Sequence, residues 1–387
     1  MTALSIRLSF AKVISFSLIV LVVVVYTSPF IGFSIYISAA FIMFFLLLKF
    51  FFGGPLKISL KALICIVFAF AVGLFYSLVK SDISSIFLAL YMVLSFFVAY
   101  FFWKRPAEVA RFSLFAMFYL AAWFFYMAIK YGVSGQAINE YLYGASKNYV
   151  PFLFLVACSF YYASKIHCGL RYSIIPALFL VGVSVIAGGR SGILVGFLFL
   201  LVIFYHLASS FKAKNLYIPF FILGAVFLIF ILYFYADELV YLFFGVFEST
   251  KFESKGVESI RWEINKEYIY GLDLKGFVLG RNLEEIGLIS LVGGNSHNSL
   301  IDGHSKMGLF FLMGFSLLVM CPVISMFSSF SSEKLAIYLM LIIVLLRGAV
   351  DAAFFYGVFD YLVIYLFFLA CFPVIGLDPK SEKSVRV

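Results

Sequence analysis

The residues best suited to chemistry lie in the segment Asn295-Ser-His-Asn-Ser-Leu-Ile-Asp-Gly-His-Ser-Lys-Met-Gly308, which leads directly into an apolar run. Histidine can accept a proton near neutral pH, so His297 is a candidate general base; the alternative is a packing or capping residue. In a helical segment, His297, Ile301, His304 and Gly308 would share one face. The two histidines would then stand about 10 Å apart, too far to bind one metal ion, and the spacing predicts no metal site.

Two arginines stand at the ends of apolar runs, where a charge is costly and needs a partner. Arg190 follows two glycines in Gly188-Gly-Arg-Ser-Gly192, which let the backbone turn and let a bulky anion approach. Arg347 precedes Asp351 by about one helical turn. The alternatives are that Arg190 extends to lipid headgroups and that Arg347 pairs with Asp351 at an i,i+4 spacing.

Further arginines lie in the long polar segment before His297. Arg261 belongs to Ile260-Arg-Trp262 and Arg281 to Gly280-Arg-Asn282. A guanidinium group binds phosphate oxygens through paired hydrogen bonds and stays charged at any relevant pH. A basic histidine beside several arginines therefore predicts transfer chemistry on a pyrophosphate-linked lipid.

The elements that must position these residues are membrane-spanning helices. Of the 387 residues, 65% are hydrophobic and 12% are charged, against about a quarter charged in ordinary soluble domains. Apolar runs of roughly 17–25 residues, long enough to cross ~30 Å of hydrocarbon, recur along the chain and must be helical in lipid. This pattern predicts an all-α protein with about twelve spans: 10–28, 31–52, 61–79, 84–102, 112–130, 149–164, 172–188, 191–208, 215–235, 307–327, 335–350 and 354–376.

The lysines and arginines of the short loops predict how these spans are oriented. One side of the membrane holds 16 of them: Arg7, Lys12, Lys49, Lys57, Lys61, Lys104, Arg105, Arg111, Lys165, Arg171, Lys212, Lys214, Lys334, Lys380, Lys383 and Arg386. The opposite side holds Lys80, Lys130, Lys147, Arg190 and Arg347. Short cytoplasmic loops carry an excess of Lys and Arg, so the side with 16 is predicted to be cytoplasmic. Both termini lie on that side and are therefore expected in the cytoplasm. The formal charge of +9 reflects this topology, not a nucleic-acid-binding surface.

The polar segment 236–306 falls on the outer side and contains eleven Asp or Glu and seven Lys or Arg. It is too short for a sizeable core of its own. Residues 258–270 place apolar side chains at helical spacing between charges, which indicates a helix lying at the membrane interface. With no internal repeat, the pattern predicts a single transmembrane domain over residues 1–387 that includes this segment.

The His297-Asn298 pair, followed by Leu300-Ile301 and by Gly308 at the start of an apolar span, resembles the His-Asn motif of bacterial O-antigen polymerases and ligases.

The arginine motifs extend this resemblance. Those around Arg261 and Arg281 are similar to the family's interfacial helix and Gly-rich turn, and the Arg190 and Arg347 segments resemble its other arginine positions. The likeness covers residues 188–355, and the N-terminal half matches by hydropathy alone.

The resemblance implies a glycosyltransferase of the C-type membrane fold at the periplasmic face of the bacterial inner membrane. It implies a polymerase that needs no metal or other cofactor and transfers a growing glycan, with inversion, from undecaprenyl pyrophosphate to the next lipid-linked repeat unit. The catalytic residues it implies are His297, Arg190 and Arg261. The substrate-binding residues it implies are Arg281, Asn298, Asp302, His304, Arg347 and Asp351.

Two alternatives stay open. An O-antigen ligase would use lipid A-core as the acceptor, although Lys306 stands where ligases often carry an acidic residue and so favours the polymerase. A flippase or transporter would also bind pyrophosphate, but transporters tend to place charges at the bilayer midplane. The expected partners are the undecaprenyl-pyrophosphate-linked oligosaccharide, membrane lipid and a protein that regulates chain length.

Overall fold

The computed structural model describes residues 60–80, 84–134, 137–141, 147–210, 260–290, 296, 298–350 and 359–372. Within these residues the chain is helical and contains no strand, which confirms the all-helical prediction. The helices are α1 (Leu60–Lys80), α2 (Ser84–Trp103), α3 (Pro106–Tyr131), α4 (Tyr149–His167), α5 (Ile175–Ala187), α6 (Arg190–Ser210), α7 (Ile260–Tyr270), α8 (Leu274–Leu279), α9 (Gly287–Ser290), α10 (Ser299–Ser328), α11 (Ser332–Ala349) and α12 (Asp360–Cys371). Short 3-10 turns cover Ala137–Glu140 and Leu283–Glu285.

Four stretches of the described chain are long and apolar enough to cross a membrane: Pro106–Tyr131, Tyr149–His167, Ser191–Ser209 and Ser299–Ser328. The predicted spans 10–28, 31–52 and 215–235 lie outside the described residues. The count of twelve spans and their orientation therefore stay predictions.

Two helices begin earlier in the chain than hydropathy predicts, because of the residues at their N-terminal ends. α3 begins at Pro106, ahead of the predicted 112, because proline fits the first turn of a helix. α11 begins before the predicted 335, because the Ser331 side chain accepts the backbone N–H of Lys334 at 3.2 Å and caps the helix.

The main core of the bundle surrounds α4, which is buried from Val150 to Ser164. A helix that is apolar on every side belongs at the centre of a bundle. Aromatic rings fill the space between α2, α4 and α12: Phe102 meets Phe160 at 5.8 Å and Tyr361 at 5.9 Å between ring centroids.

A second, small core lies in the polar segment. It consists of Ile264, Tyr268, Ile286, Ile289 and Ile301. The predicted helix over 258–270 is present as α7 and supplies the first two of these residues. Because Ile301 comes from α10, this core ties the polar segment to the first turns of that helix.

Candidate functional site

The first turn of α10 is fixed by Asn298, whose side-chain oxygen accepts the backbone N–H groups of Leu300 at 2.9 Å and Ile301 at 3.3 Å. Asn298 is therefore the N-cap, and its extended backbone (φ −145°) places the helix start at Ser299. α10 therefore begins two residues after His297 in the chain, and the predicted placement of His297 on a helical face stays a prediction. His297 itself lies outside the described residues.

The residues on either side of His297 are bonded into this first turn. Ser296 is fully buried and donates its hydroxyl to Oδ1 of Asp302 at 2.6 Å. The backbone N–H of Asn298 donates to the Ser296 hydroxyl oxygen at 3.1 Å. Asp302, predicted to bind substrate, thus uses one carboxylate oxygen to anchor the chain just before the helix.

α10 is broken at Gly308, whose φ of 49° and ψ of −133° lie outside the helical region. A Cβ at this position would lie 2.1 Å from the carbonyl oxygen of Val278. Gly280 makes the matching contact: its φ is +82°, and a Cβ would lie 2.2 Å from the carbonyl oxygen of His304. The two glycines therefore let the end of α8 pack backbone to backbone against the break.

His304 is buried, and the protein uses both of its ring nitrogens. Nε2 donates to the carbonyl oxygen of Phe277 at 3.1 Å, and Nδ1 lies 2.7 Å from the hydroxyl of Tyr268. Burial raises the pKa of Tyr268, so its hydroxyl stays protonated and able to donate to Nδ1. These bonds give His304 a scaffold position beside the predicted substrate site.

Arg281 caps the C-terminal end of α7. Its Nη1 donates to the carbonyl oxygen of Glu267 at 2.6 Å, where the helix dipole favours a cation. Gly271 makes room for it, because a Cβ there would lie 2.0 Å from the same nitrogen. Nε lies 4.0 Å from the carboxylate of Glu285, which is 64% exposed. The side chain of Arg261, in the first turn of the same helix, lies outside what the structure describes.

Lys80, the last residue of α1, also reaches the break. Its ammonium donates to the carbonyl oxygen of Ser305 and, at 3.4 Å, to that of Gly280. We call the following residues the break cluster: Lys80, Tyr268, Gly280, Arg281, His304 and Gly308.

A second polar region lies inside the bundle, at the N-terminal end of α4. Arg347 of α11 is 1% exposed, and its Nη2 donates to the carbonyl oxygen of Asn148 at 3.0 Å. Its guanidinium carbon also lies 5.7 Å from the centre of the Phe152 ring. A Cβ on Gly189 would lie 2.5 Å from Oδ1 of the same Asn148, so the turn that leads into Arg190 packs here as well.

We call this region, formed by Asn148, Gly189, Arg190 and Arg347, the Asn148 junction. It brings together the two segments in which the sequence places an arginine at the end of an apolar run. The side chain of Arg190 and the whole of Asp351 lie outside what the structure describes, so the predicted pairing of Arg347 with Asp351 stays a prediction.

Both regions lie at the same end of the bundle. α10 and α11 are joined by a short connection, beside which Nζ of Lys334 donates to the Ser325 hydroxyl at 3.3 Å. The two helices pack against each other, so the break at Gly308 and the residue Arg347 lie toward the ends that are remote from this connection.

Sequence reasoning missed three residues of these regions: Lys80, Tyr268 and Asn148. A signal existed for Lys80, since it is one of the few basic residues on the predicted outer side. The contacts of Tyr268 and Asn148 join residues that are far apart in the chain, so no local sequence pattern predicts them.

Among the residues that the structure describes, no three His, Cys, Asp or Glu side chains are grouped as metal ligands would be. The break cluster and the Asn148 junction each contain an arginine guanidinium, a group that binds anions where it is accessible. Comparisons with protein families, curated proteins and solved structures find no match to this chain.

Proposed function

We propose that this chain is an O-antigen polymerase of the bacterial inner membrane, with about twelve spans arranged in the C-type glycosyltransferase fold and both termini in the cytoplasm. One observation supports this proposal most. Arg281, Asp302 and His304 gather at the broken start of an apolar helix, around the segment in which Ser296 and Asn298 flank His297.

In the proposed reaction, a hydroxyl of the acceptor repeat unit attacks the anomeric carbon of the donor glycan. The bond from that carbon to the pyrophosphate oxygen breaks, and the configuration inverts. His297 takes the proton of the attacking hydroxyl, and undecaprenyl pyrophosphate leaves as an anion. Arg190 and Arg261 stabilise the charge that develops on the leaving group.

Arg281 is the arginine whose described contacts suit phosphate binding. Nη1 is committed to the carbonyl oxygen of Glu267, whereas Nε faces only the distant carboxylate of Glu285. An exposed ion pair of this length contributes little, about 0–1 kcal/mol. A pyrophosphate can therefore displace Glu285 and take up the Nε edge of the guanidinium group without disturbing the cap of α7.

Arg347 has a different part in this proposal. Its buried guanidinium holds the carbonyl of Asn148, and the side chain of Asn148 touches Gly189. Arg347 thereby fixes the turn from which Arg190 starts α6 and contributes to phosphate binding indirectly.

The function is tested by deleting the gene from its bacterium and reading the lipopolysaccharide on a gel, with complementation by the intact gene. The proposal predicts a core that carries one repeat unit in the deletion strain and a full ladder after complementation. A bare core would instead indicate a ligase or a flippase, and an unchanged ladder would exclude all three functions.

The proposed orientation has a separate test. A cysteine introduced at the exposed Gly287 should react with a membrane-impermeant thiol reagent from outside intact spheroplasts, and one at Ser332 should not. Labelling at Ser332 would overturn the orientation.

A further inference from the structure

The break in α10 leaves backbone groups without their helical partners. A helix that stops loses bonds to the carbonyl groups of its last turn, and a helix that restarts has N–H groups with no partner in its first turn. Ser305 lies on the first side of Gly308 and Phe310 on the second.

Two side chains of α1 contact the two sides of the break. On the first side, the ammonium of Lys80 donates to the carbonyl oxygen of Ser305, where the end of a helix favours a cation. On the second side, the ring of Tyr76 packs edge-on against the ring of Phe310, with 6.0 Å between the ring centroids. One helix therefore contacts both sides of the break.

The same two side chains also bond to the end of α8, which packs against the break. Tyr76 is 1% exposed and donates its hydroxyl to the carbonyl oxygen of Val278 at 2.9 Å. Lys80 donates to the carbonyl oxygen of Gly280 at 3.4 Å. Tyr76 and Lys80 stand four residues apart on α1, which places both on one helical face.

We infer that Tyr76 and Lys80 are positioning residues for glycan transfer: together they set the geometry of the break at Gly308 and so the position of the first half of α10. This inference rests on the proposed function. Neither residue needs to touch substrate. Lys80 acts through the Ser305 carbonyl, and Tyr76 acts through the Val278 carbonyl that packs against Gly308. Both effects reach the first half of α10, which begins after Asn298.

The test combines transfer kinetics with a readout that does not depend on activity. Purified Tyr76→Phe, Lys80→Met and Lys80→Arg are assayed for elongation of an undecaprenyl-pyrophosphate-linked repeat unit. In parallel, Ser305→Cys is placed in a chain whose five native cysteines are replaced by alanine, and its reaction with a small methanethiosulfonate reagent is timed. Ser305 is 5% exposed, so this cysteine should react slowly unless the break opens.

Tyr76→Phe and Lys80→Met should each lower kcat about tenfold, as the loss of one partly buried hydrogen bond can, with little change in KM. Both should also speed labelling at Ser305→Cys about tenfold. Lys80→Arg keeps a cationic donor and should restore most of the rate. Tyr76→Phe keeps the ring packed 6.0 Å from Phe310, so it remains informative if Lys80→Met does not insert.

Matched controls come from α3. Lys130→Met removes an exposed lysine from a helix end, and Tyr126→Phe removes the hydroxyl of an exposed tyrosine. Neither should alter transfer or labelling.

Normal labelling in both Tyr76→Phe and Lys80→Met would overturn the inference. Faster labelling with unchanged kcat would also overturn it, because these residues would then serve only stability. If the unaltered protein elongates nothing, the proposed function fails, while the labelling experiment still tests whether α1 holds the break.

Discussion

The break cluster and the Asn148 junction use similar parts in different surroundings. Each contains at least one glycine that admits a close approach and an arginine that donates to a backbone carbonyl. In the junction, Arg347 is 1% exposed and sits among packed helices. In the break cluster, the Arg281 side chain is 17% exposed, and its acidic neighbour Glu285 is 64% exposed.

The sequence pattern predicts substrate binding for both arginines. Their difference in burial indicates different roles. A guanidinium in a packed core is already desolvated, and it contacts a ligand only if helices move apart. A guanidinium at the edge keeps part of its surface accessible, so a phosphate can replace a weak ion pair. Arg347 therefore stabilises the packing of the bundle, whereas Arg281 keeps a surface that the proposed substrate can reach.

The largest effect is expected where the break itself is altered. Gly308→Ala should reduce transfer by at least ~10²-fold, because a Cβ would meet the Val278 carbonyl at 2.1 Å and the reacting groups would be displaced. The measurement is elongation of lipid-linked repeat units in membranes that contain equal amounts of protein.

Gly314→Ala is the matched control in the second half of the same helix, where a Cβ meets nothing within 4 Å. It should leave transfer unchanged. Normal activity in Gly308→Ala would show that the break does not position the site.

The second prediction contrasts the two arginines directly. Arg347→Lys should lower the free energy of unfolding by roughly 1–3 kcal/mol, because a buried ammonium cannot reproduce the planar guanidinium contacts at Asn148. Arg281→Lys should cost less stability, since water reaches its neighbours, but should raise KM for the lipid-linked substrate. Thermal unfolding in detergent and steady-state kinetics measure the two effects, and equal losses of stability would remove the distinction.

The sequence predicts most helices because long apolar runs are themselves the signal. The predicted spans 61–79 and 84–102 correspond to α1 and α2 within a residue or two. The start of α10 is harder to predict, because its first turns are polar and its helical bonds depend on the Asn298 cap. The span predicted from hydropathy starts at 307, next to the break, whereas α10 begins at Ser299.

The candidate site is predicted only in part, for a physical reason. Glycine, histidine and arginine are visible as residue types, but burial is not, so Arg347 and Arg281 receive the same role from the sequence. The bond from Lys80 to Ser305 joins residues 225 positions apart and depends on how α1 packs against α10. Such contacts follow from tertiary packing and not from local pattern.

The smallest effect is expected from metal removal. EDTA should leave elongation unchanged, because the proposed charge stabilisation comes from guanidinium groups and not from a cation. The assay compares purified protein with and without chelator. Activity that is lost in EDTA and restored by magnesium or manganese would contradict this mechanism and point to Asp302 or Asp351 as ligands.

The most direct test of the proposed mechanism is the rate of glycan transfer by purified His297→Gln. Glutamine still forms hydrogen bonds but cannot take up the proton of the acceptor hydroxyl. The proposed mechanism predicts a correctly inserted protein that binds the lipid-linked donor yet transfers sugar at least ~10²-fold more slowly, the usual size of a general-base contribution. His304→Ala should cost much less, because that ring serves as scaffold. Near-normal turnover in His297→Gln would contradict the proposed mechanism and assign proton removal to another group.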